Sequence, residues 1–265
     1  QHHNESRLIM PSGHPGNYTS LTDVTPARIV IYLRNVEVED LGGDPGDLRD
    51  VTYVANSQFT ADRFNSLFGI RSTVVYPLIR REMYETETSR ENVTFINPHP
   101  RKGLEVALAV AERCPDIPFA FVEAWMLSPE ERAPLMQRLA RLPNVTLRPP
   151  TRDMKSVYGR ARIVLAPSKW QEAFGRIAVE AQFSGIPVVA SACGGLPEAV
   201  GPGGILIEPD ASHDVWADAV RRLWTDQAFY EEKSRAARSY SHRPEMNRDR
   251  QIDRLLAIFA GQQGI

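Results

Sequence analysis

The chain has 265 residues, of which 42% are hydrophobic, so it can bury a large core as one large domain or two small ones. Its formal net charge of −2 gives no field that favours nucleic acid or an anionic membrane surface as a partner. No apolar run approaches the length that spans a bilayer, and the opening QHHNESRLIM does not resemble a signal peptide, so we expect a cytoplasmic protein. Cys114 and Cys193 lack metal-ligand spacing, which indicates a reducing compartment.

The first part of the chain alternates strand-like apolar runs with an amphipathic helix, a pattern typical of a parallel sheet with helical crossovers. Strands are predicted in RIVIYL, VTYVANS and STVVYP. The helix is predicted to follow the cap residue Ser57 and to end at Gly69. Residues 78–91 are polar and rich in charge, so we place a boundary between two lobes there, with the first lobe over residues 1–80.

The same alternation restarts after this boundary and fills residues 92–225 with a whole Rossmann-like unit. Strands are predicted in VTFIN, FAFVEAW, VTLRPP, RIVLAPS, IPVVAS and GILIEP. We assign the second lobe to residues 81–240, and we expect the first lobe to be truncated because it contains too few strands. The predicted fold class is therefore α/β, with parallel sheets and helices on both faces.

Three turns of the second lobe are candidates for a ligand site. Ligands of doubly wound sheets bind beyond the carboxyl ends of the strands, so PHPRKG, PSKWQEAFG and SACGGLPE should face one crevice. The patterns G-x-G-x-x-G and G-x-x-x-x-G-K-[ST] are absent, which disfavours a nicotinamide enzyme and a nucleoside triphosphatase. Gly-x-Ser-x-Gly and His-Glu-x-x-His are also absent, which disfavours the hydrolases that use them.

The second of these turns carries Glu172, and the helix after it carries Glu180. If this helix begins near Gly175, the amide groups of residues 174–177 are free of helical partners and suit a phosphate. Eight helical residues would separate the glutamates by about 12 Å, far beyond the roughly 5 Å of a glycosidase pair. They would then contact different hydroxyl groups of one extended ligand. The alternative is a solvated Glu172 and a Glu180 on the exposed edge of an amphipathic helix.

Two further pairs of residues have a functional and a structural interpretation. Lys102 could place a point charge beside a diphosphate, or it could be a surface lysine near a turn. Arg101 could serve the same purpose or be solvated. Gly194 and Gly195 could allow the backbone to approach a ligand closely, or they could only form a tight turn before a helix.

The segment PSKWQEAFGRIAVEAQFSGIPVVASACGGLPE is similar to the Glu-x7-Glu signature of retaining glycosyltransferases of the two-lobed GT-B class, family four. The resemblance extends over residues 51–225, because VANSQFTADRF and PHPRKGLEVALAVAERC also match the family's pattern. It implies transfer of a sugar from a nucleotide-diphosphate sugar, with retention of anomeric configuration. It implies no metal and no cofactor, since the nucleotide sugar is a substrate.

The resemblance also implies roles for individual residues. Glu172 would bind the hydroxyls of the donor sugar and support charge at the anomeric carbon, and Glu180 would hold the ribose hydroxyls. The amides near Phe174 and Gly175 would meet the diphosphate, and Lys102 would neutralise it as it leaves. The turn of residues 194–195 would border the sugar.

The sequence departs from the family pattern in two places. The family usually has an arginine about five residues before the lysine, where Asn97 stands here, which leaves Arg101 as a substitute. The family's first lobe supplies a histidine, and His2 or His3 could be its remnant or could belong to a terminus without a role in the site. In this class the last helix crosses back to the first lobe, and we expect residues 241–265 to do so through a stripe of Ile252, Leu255, Leu256 and Phe259.

Three functions remain open from the sequence. The first is a retaining glycosyltransferase, whose acceptor (a glycan, a lipid or a small molecule) the sequence does not identify. The second is a donor-binding module that needs a partner chain or a missing segment for catalysis. The third is a GT-B nucleotide-sugar epimerase. No nucleic acid partner is expected, and the sequence does not indicate membrane contact.

Overall fold

The structure is a computed structural model that describes residues 6–9, 28–38, 44–124 and 127–262. It divides into two compact units. The first unit comprises Gln1–Ile79, Glu172–Phe174 and Pro244–Ile265, and the second comprises Arg80–Gln171 and Gly175–Arg243. The three residues 172–174 thus group with the first unit although their sequence neighbours belong to the second. His2 and His3 lie outside the described residues.

The first unit contains a four-stranded parallel sheet in the order β1-β2-β3-β4. Its strands are β1 (Ser6–Ile9), β2 (Arg28–Leu33), β3 (Val51–Ala55) and β4 (Ser72–Val74). Helix α1 (Gln58–Phe68) joins β3 to β4; Ser57 caps it by accepting a hydrogen bond from the Thr60 amide, and it ends at Gly69. Both predicted ends of this helix are confirmed. One face of the sheet packs on Phe64 of α1.

The other face of this sheet is covered by the last helix, α9 (Arg248–Phe259). Alternate residues of a strand point to opposite faces, so Val30 and Tyr32 of β2 meet Ile258 of α9. The Tyr76 amide donates a hydrogen bond to Gln251 Oε1 at 2.9 Å. The predicted apolar stripe of this helix was wrong at Leu256, which is 57% exposed. Ile258, which the prediction left out, is buried against the sheet in its place.

The second unit contains a six-stranded parallel sheet in the order β10-β9-β8-β5-β6-β7. Its strands are β5 (Asn92–Ile96), β6 (Phe119–Val122), β7 (Val145–Arg148), β8 (Ala161–Ala166), β9 (Val188–Ser191) and β10 (Gly204–Ile207). The chain runs outward from β5 to β7 and then returns to β8 on the other side of β5. The strand order therefore reverses between β5 and β8, and the carboxyl ends of such a pair are the usual ligand position in this kind of sheet.

The helices that flank this sheet complete the predicted α/β fold, which is confirmed. They are α2 (Leu104–Arg113), α3 (Pro129–Leu139), α4 (Met154–Tyr158), α5 (Arg176–Phe183), α6 (Leu196–Val200), α7 (His213–Thr225) and α8 (Gln227–Ser241). Val106 of α2 and Trp216 of α7 are buried in one core cluster with Phe95 and Phe121, whose rings meet edge to face at 5.1 Å. In the described part of the chain, no helix is long and apolar enough to cross a membrane.

Candidate functional site

The loops that follow β5 and β8 are joined through one carbonyl group. The loop after β5 turns at Pro100–Lys102 in a single 3-10 turn. The Arg101 carbonyl oxygen accepts hydrogen bonds from the Ser168 hydroxyl and from the Lys169 and Trp170 amides, each at 3.2 Å. The two strands at the reversal of the sheet therefore end in loops that hold each other in place.

The loop after β9 joins the same group. The Cys193 thiol lies 3.4 Å from the Ser168 carbonyl oxygen and 3.6 Å from that of Trp170. Gly194 follows with a left-handed backbone (φ 60°), and Gly195 is the N-cap of α6. The predicted convergence of these turns is confirmed for the residues that belong to the second unit.

Glycines stand at the N-caps of the three helices that leave these loops. They are Gly103 for α2, Gly175 for α5 and Gly195 for α6, and no side chain caps any of the three. Ser128 and Asp226, by contrast, cap α3 and α8 with their side chains. The first amide groups of a helix lack intrahelical acceptors and carry the positive end of the helix dipole, so they suit an anion where no other group accepts from them. The start of α5 fits this best, because the first amides of α2 and α6 already donate to the His99 and Cys193 carbonyl oxygens and Pro197 has no N–H.

Gly175 also brings the start of α5 against α6. Its φ is 94°, in the left-handed region, and an ideal Cβ at this position would lie 2.7 Å from Leu196 Cδ2. A larger residue would therefore strain the left-handed backbone and force the Leu196 side chain to move. The predicted start of the helix just after Gly175 is confirmed.

The two basic residues of the first loop differ in their surroundings. Lys102 is half-buried at the end of the 3-10 turn, directly before Gly103, and its amide donates to the His99 carbonyl at 2.9 Å. The exposed Arg101 guanidinium lies over the Trp170 ring, 4.5 Å from its centroid. A cation over an indole face is attracted by the ring quadrupole. Arg101 therefore connects the two loops through its side chain as well as through its carbonyl oxygen.

Glu180 is buried on α5, with 6% of its surface exposed. The Tyr158 hydroxyl donates to its Oε2 at 3.0 Å, and the Arg176 guanidinium lies 3.2 Å from its Oε1. Burial raises the pKa of Glu180, while Arg176 and the Tyr158 hydrogen bond act in the opposite direction. The alternative that placed Glu180 on an exposed helix edge was wrong, because Glu180 is buried and its carboxylate contacts Tyr158 of α4.

Glu172 and Phe174 belong to the first unit. The Ala173 carbonyl oxygen accepts a hydrogen bond from the Ser57 hydroxyl at 2.5 Å, and the Thr60 hydroxyl lies 3.1 Å from the same oxygen. Phe174 is 2% exposed, and its ring lies 5.7 Å from that of Tyr76. Glu172 itself is half-buried. The segment that contains these two predicted site residues therefore belongs to the first unit through two contacts: Ala173 bonds to Ser57 and Thr60, and Phe174 packs near Tyr76.

A comparison with known protein families assigns this chain to one of them. The model of the family described as Glycosyl transferases group 1 matches residues 91–226, just over half of the chain. The chain belongs to this family. The match covers the second unit from β5 to the end of α7.

Curated relatives of this group 1 family member are named D-inositol 3-phosphate glycosyltransferase. The protein from Corynebacterium aurimucosum is 48% identical over 79 residues, which are 29% of this chain and 18% of that protein. The protein from Mycobacterium leprae (strain Br4923) is 33% identical over 170 residues, which are 60% of this chain and 39% of that protein. The matched region therefore spans less than half the length of these relatives.

Solved structures of similar fold include HepE of Anabaena in complex with UDP-glucose, with a TM-score of 0.76 at 21% identity. That likeness covers 88% of this chain and 72% of HepE. WaaG, a glycosyltransferase involved in lipopolysaccharide biosynthesis, has a TM-score of 0.70 at 17% identity over 92% of this chain and 80% of WaaG. At these identities the likeness supports the GT-B fold of the group 1 family member.

Sequence reasoning missed two buried residues of the second unit that carry polar groups, Glu123 and Tyr158. Glu123 directly follows β6, is 5% exposed and pairs with Arg132. A charged residue just after the apolar run FAFV was a usable signal for it, since that is where the carboxyl end of the strand lies. Tyr158 gave no local signal, because its partner Glu180 is 22 residues away. Within the described residues of this group 1 family member, no group of three His, Cys, Asp or Glu side chains could hold a metal ion.

Proposed function

We propose that this chain carries the donor site of a retaining glycosyltransferase, which moves a sugar from a nucleotide-diphosphate sugar to an acceptor. The observation that carries the proposal is the set of interlocked loops after β5, β8 and β9, held by the Arg101 carbonyl and the Cys193 thiol at the reversal of the sheet. The complex of HepE with UDP-glucose supports a nucleotide sugar as the donor class.

The diphosphate would bind at the start of α5, beside Gly175. The amides near Phe174 and Gly175 would donate to phosphate oxygens, and the dipole of α5 favours negative charge at that end. Lys102 would add a full positive charge and stabilise the diphosphate as its charge grows during bond cleavage. Arg101 would contribute a longer-range charge from its place on Trp170. The reaction we propose needs no metal ion and no cofactor.

The remaining predicted residues would bind the two ends of the donor. Glu180 would accept hydrogen bonds from the ribose hydroxyls, and the turn of Gly194 and Gly195 would border the sugar. Glu172 would bind sugar hydroxyls and stabilise positive charge at the anomeric carbon. The bond from the anomeric carbon to the diphosphate breaks, the acceptor oxygen bonds to the same face, and the acceptor proton passes to the leaving phosphate. Attack on that face retains the anomeric configuration.

The first test is calorimetric titration of the chain with UDP, GDP and ADP. We expect selective binding of one nucleoside diphosphate, which would name the base of the donor. Failure of all three to bind would contradict the donor site.

The second test measures transfer from the matching nucleotide sugar, with inositol 3-phosphate among the acceptors because the curated relatives carry that name. We expect Glu172→Gln to bind the nucleoside diphosphate like the wild type and to lose about 100-fold or more in transfer rate. Glu112→Gln is the matched control, at an exposed glutamate near the end of α2. It should change neither the binding of the nucleoside diphosphate nor the transfer rate. NMR coupling constants of the product report the anomeric configuration. An inverted product, or release of an epimerised sugar, would contradict the proposed reaction.

A further inference from the structure

Three side chains of the second unit surround the Glu180 carboxylate. Tyr158, at the last turn of α4, is fully buried and donates its hydroxyl to Oε2 at 3.0 Å. Arg176, one turn before Glu180 on α5, lies 3.2 Å from Oε1. The same Arg176 donates to the Tyr84 hydroxyl at 3.1 Å. The rings of Tyr84 and Tyr158 meet edge to face at 6.5 Å.

The two oxygens of the carboxylate therefore have different partners. Tyr84 also hydrogen-bonds to this carboxylate. A carboxylate has about four lone-pair positions, so after the contacts with Tyr158, Arg176 and Tyr84 it keeps acceptor capacity for a ligand hydroxyl. The last torsion of a glutamate side chain is soft, and free rotation about it would turn these lone pairs away from a ligand. Tyr158 opposes this rotation more firmly than Arg176, because Tyr158 is wholly buried while the Arg176 side chain is 49% exposed.

We propose that Tyr158 is a positioning residue of the donor site, which holds the Glu180 carboxylate in the orientation that accepts the ribose hydroxyls of the nucleotide. This inference rests on the proposed function, since it assigns Tyr158 a role through Glu180. Tyr158 does not touch the ligand in this arrangement. Its effect on binding passes through one hydrogen bond.

Three charged or titratable groups face Glu180, and each comes from a different segment of the second unit. They are Arg176 on α5, Tyr158 on α4 and Tyr84 from the segment before β5. Burial raises the pKa of Glu180, and all three neighbours lower it. Burial also raises the pKa of Tyr158 well above its ordinary value, so the phenol stays protonated and remains a donor. Loss of the Tyr158 hydroxyl should raise the pKa of Glu180 further and leave less of the ionised form at a given pH.

The test compares Tyr158→Phe with Tyr230→Phe. Tyr230 is also fully buried in the second unit, and its hydroxyl has no hydrogen-bond partner among the described residues. The Kd of the nucleoside diphosphate that the wild type binds is measured from acidic to neutral pH. We expect Tyr158→Phe to weaken binding about tenfold and to move the acid loss of binding to higher pH, and Tyr230→Phe to do neither. In a Glu180→Gln background, Tyr158→Phe should have little further effect.

The outcomes separate this inference from the proposed function. If the wild type binds a nucleoside diphosphate and Tyr158→Phe leaves both the Kd and the pH midpoint unchanged, Tyr158 is only a packing residue and the inference is wrong, while the donor site stands. A lower Tm with unchanged binding would also make Tyr158 a packing residue and overturn the inference. If the wild type binds none of the three nucleotides, the proposed function fails and the inference fails with it.

A second substitution keeps the inference testable if Tyr158→Phe does not fold. Incorporation of 3-fluorotyrosine at position 158 keeps the hydroxyl and makes it a stronger donor. The pKa of Glu180 should then fall, so the acid loss of binding should move to lower pH, opposite to the effect of phenylalanine. No shift with this residue, in a folded protein that binds the nucleotide, would overturn the inference.

Discussion

The backbone at Gly103 passes so close to Pro167 that an ideal Cβ on Gly103 would lie 1.8 Å from the Pro167 carbonyl oxygen. Gly103 also has a φ of 82°, in the left-handed region that favours glycine. Two requirements therefore select glycine here: the backbone conformation, and the contact with the end of β8. The contact places the start of α2 and Lys102 against the loop that follows β8.

Replacement of Gly103 by alanine should destabilise the protein through both requirements. The left-handed backbone costs an alanine about 1–2 kcal/mol, and displacement of the Pro167 backbone should bring the total loss to about 3–4 kcal/mol. Gly69→Ala is the matched control, because Gly69 has a φ of 67° but nothing within 4 Å of an added Cβ. It should lose only about 1 kcal/mol. Chemical denaturation measures the free energy of unfolding of both variants. Equal losses would show that the contact with Pro167 does not contribute to the cost at Gly103.

Lys102→Ala should weaken binding of the nucleoside diphosphate about tenfold or more, because a charge-assisted contact to phosphate is lost. Added salt should weaken the wild type more than the variant, since salt screens the lost charge. Lys155→Ala, at an exposed lysine on α4, is the control and should bind like the wild type. Isothermal titration at low and high salt measures both effects. Identical affinities of the two variants would exclude Lys102 from the site.

Glu180→Gln should alter stability in a pH-dependent way. Folding raises the pKa of Glu180 above its ordinary value of 4.5, so the fold favours the neutral carboxyl group. The wild type therefore loses stability as the pH rises from the unfolded pKa through the folded one, and glutamine, which stays neutral, does not. The Tm of Glu180→Gln minus that of the wild type should become more positive as the pH rises to neutrality. Thermal melts across this range test the sign, and a difference that falls with pH would contradict it.

Ser57→Ala should cost more than the loss of an ordinary helix cap. Ser57 is fully buried, caps α1 and donates to the Ala173 carbonyl, so we expect a loss of about 2 kcal/mol in the free energy of unfolding. Ser128→Ala removes the cap of α3 and should cost about 1 kcal/mol. Urea denaturation compares the two variants. If both lose the same amount, the bond from Ser57 to Ala173 contributes nothing to stability.

Local sequence patterns determined the elements of this protein and the positions of its turns. The start of α1 after Ser57, its end at Gly69 and the start of α5 after Gly175 all follow from cap chemistry within a few residues. The alternation of apolar strands and helices likewise predicted a parallel sheet, and its carboxyl edge predicted which turns come together. The Glu-x7-Glu segment pointed to the family that the comparison then showed.

The partners of the polar side chains were decided only by the tertiary structure. A buried carboxylate needs compensating groups, but the sequence does not specify that Tyr158 and Arg176 supply them for Glu180, because Tyr158 comes from another helix. Nor does it show that residues 172–174 group with the first unit, since the Ala173 carbonyl bonds to Ser57, 116 residues away. Capping and periodicity act over a few residues, whereas burial and hydrogen-bond satisfaction depend on which distant segments the fold brings into contact.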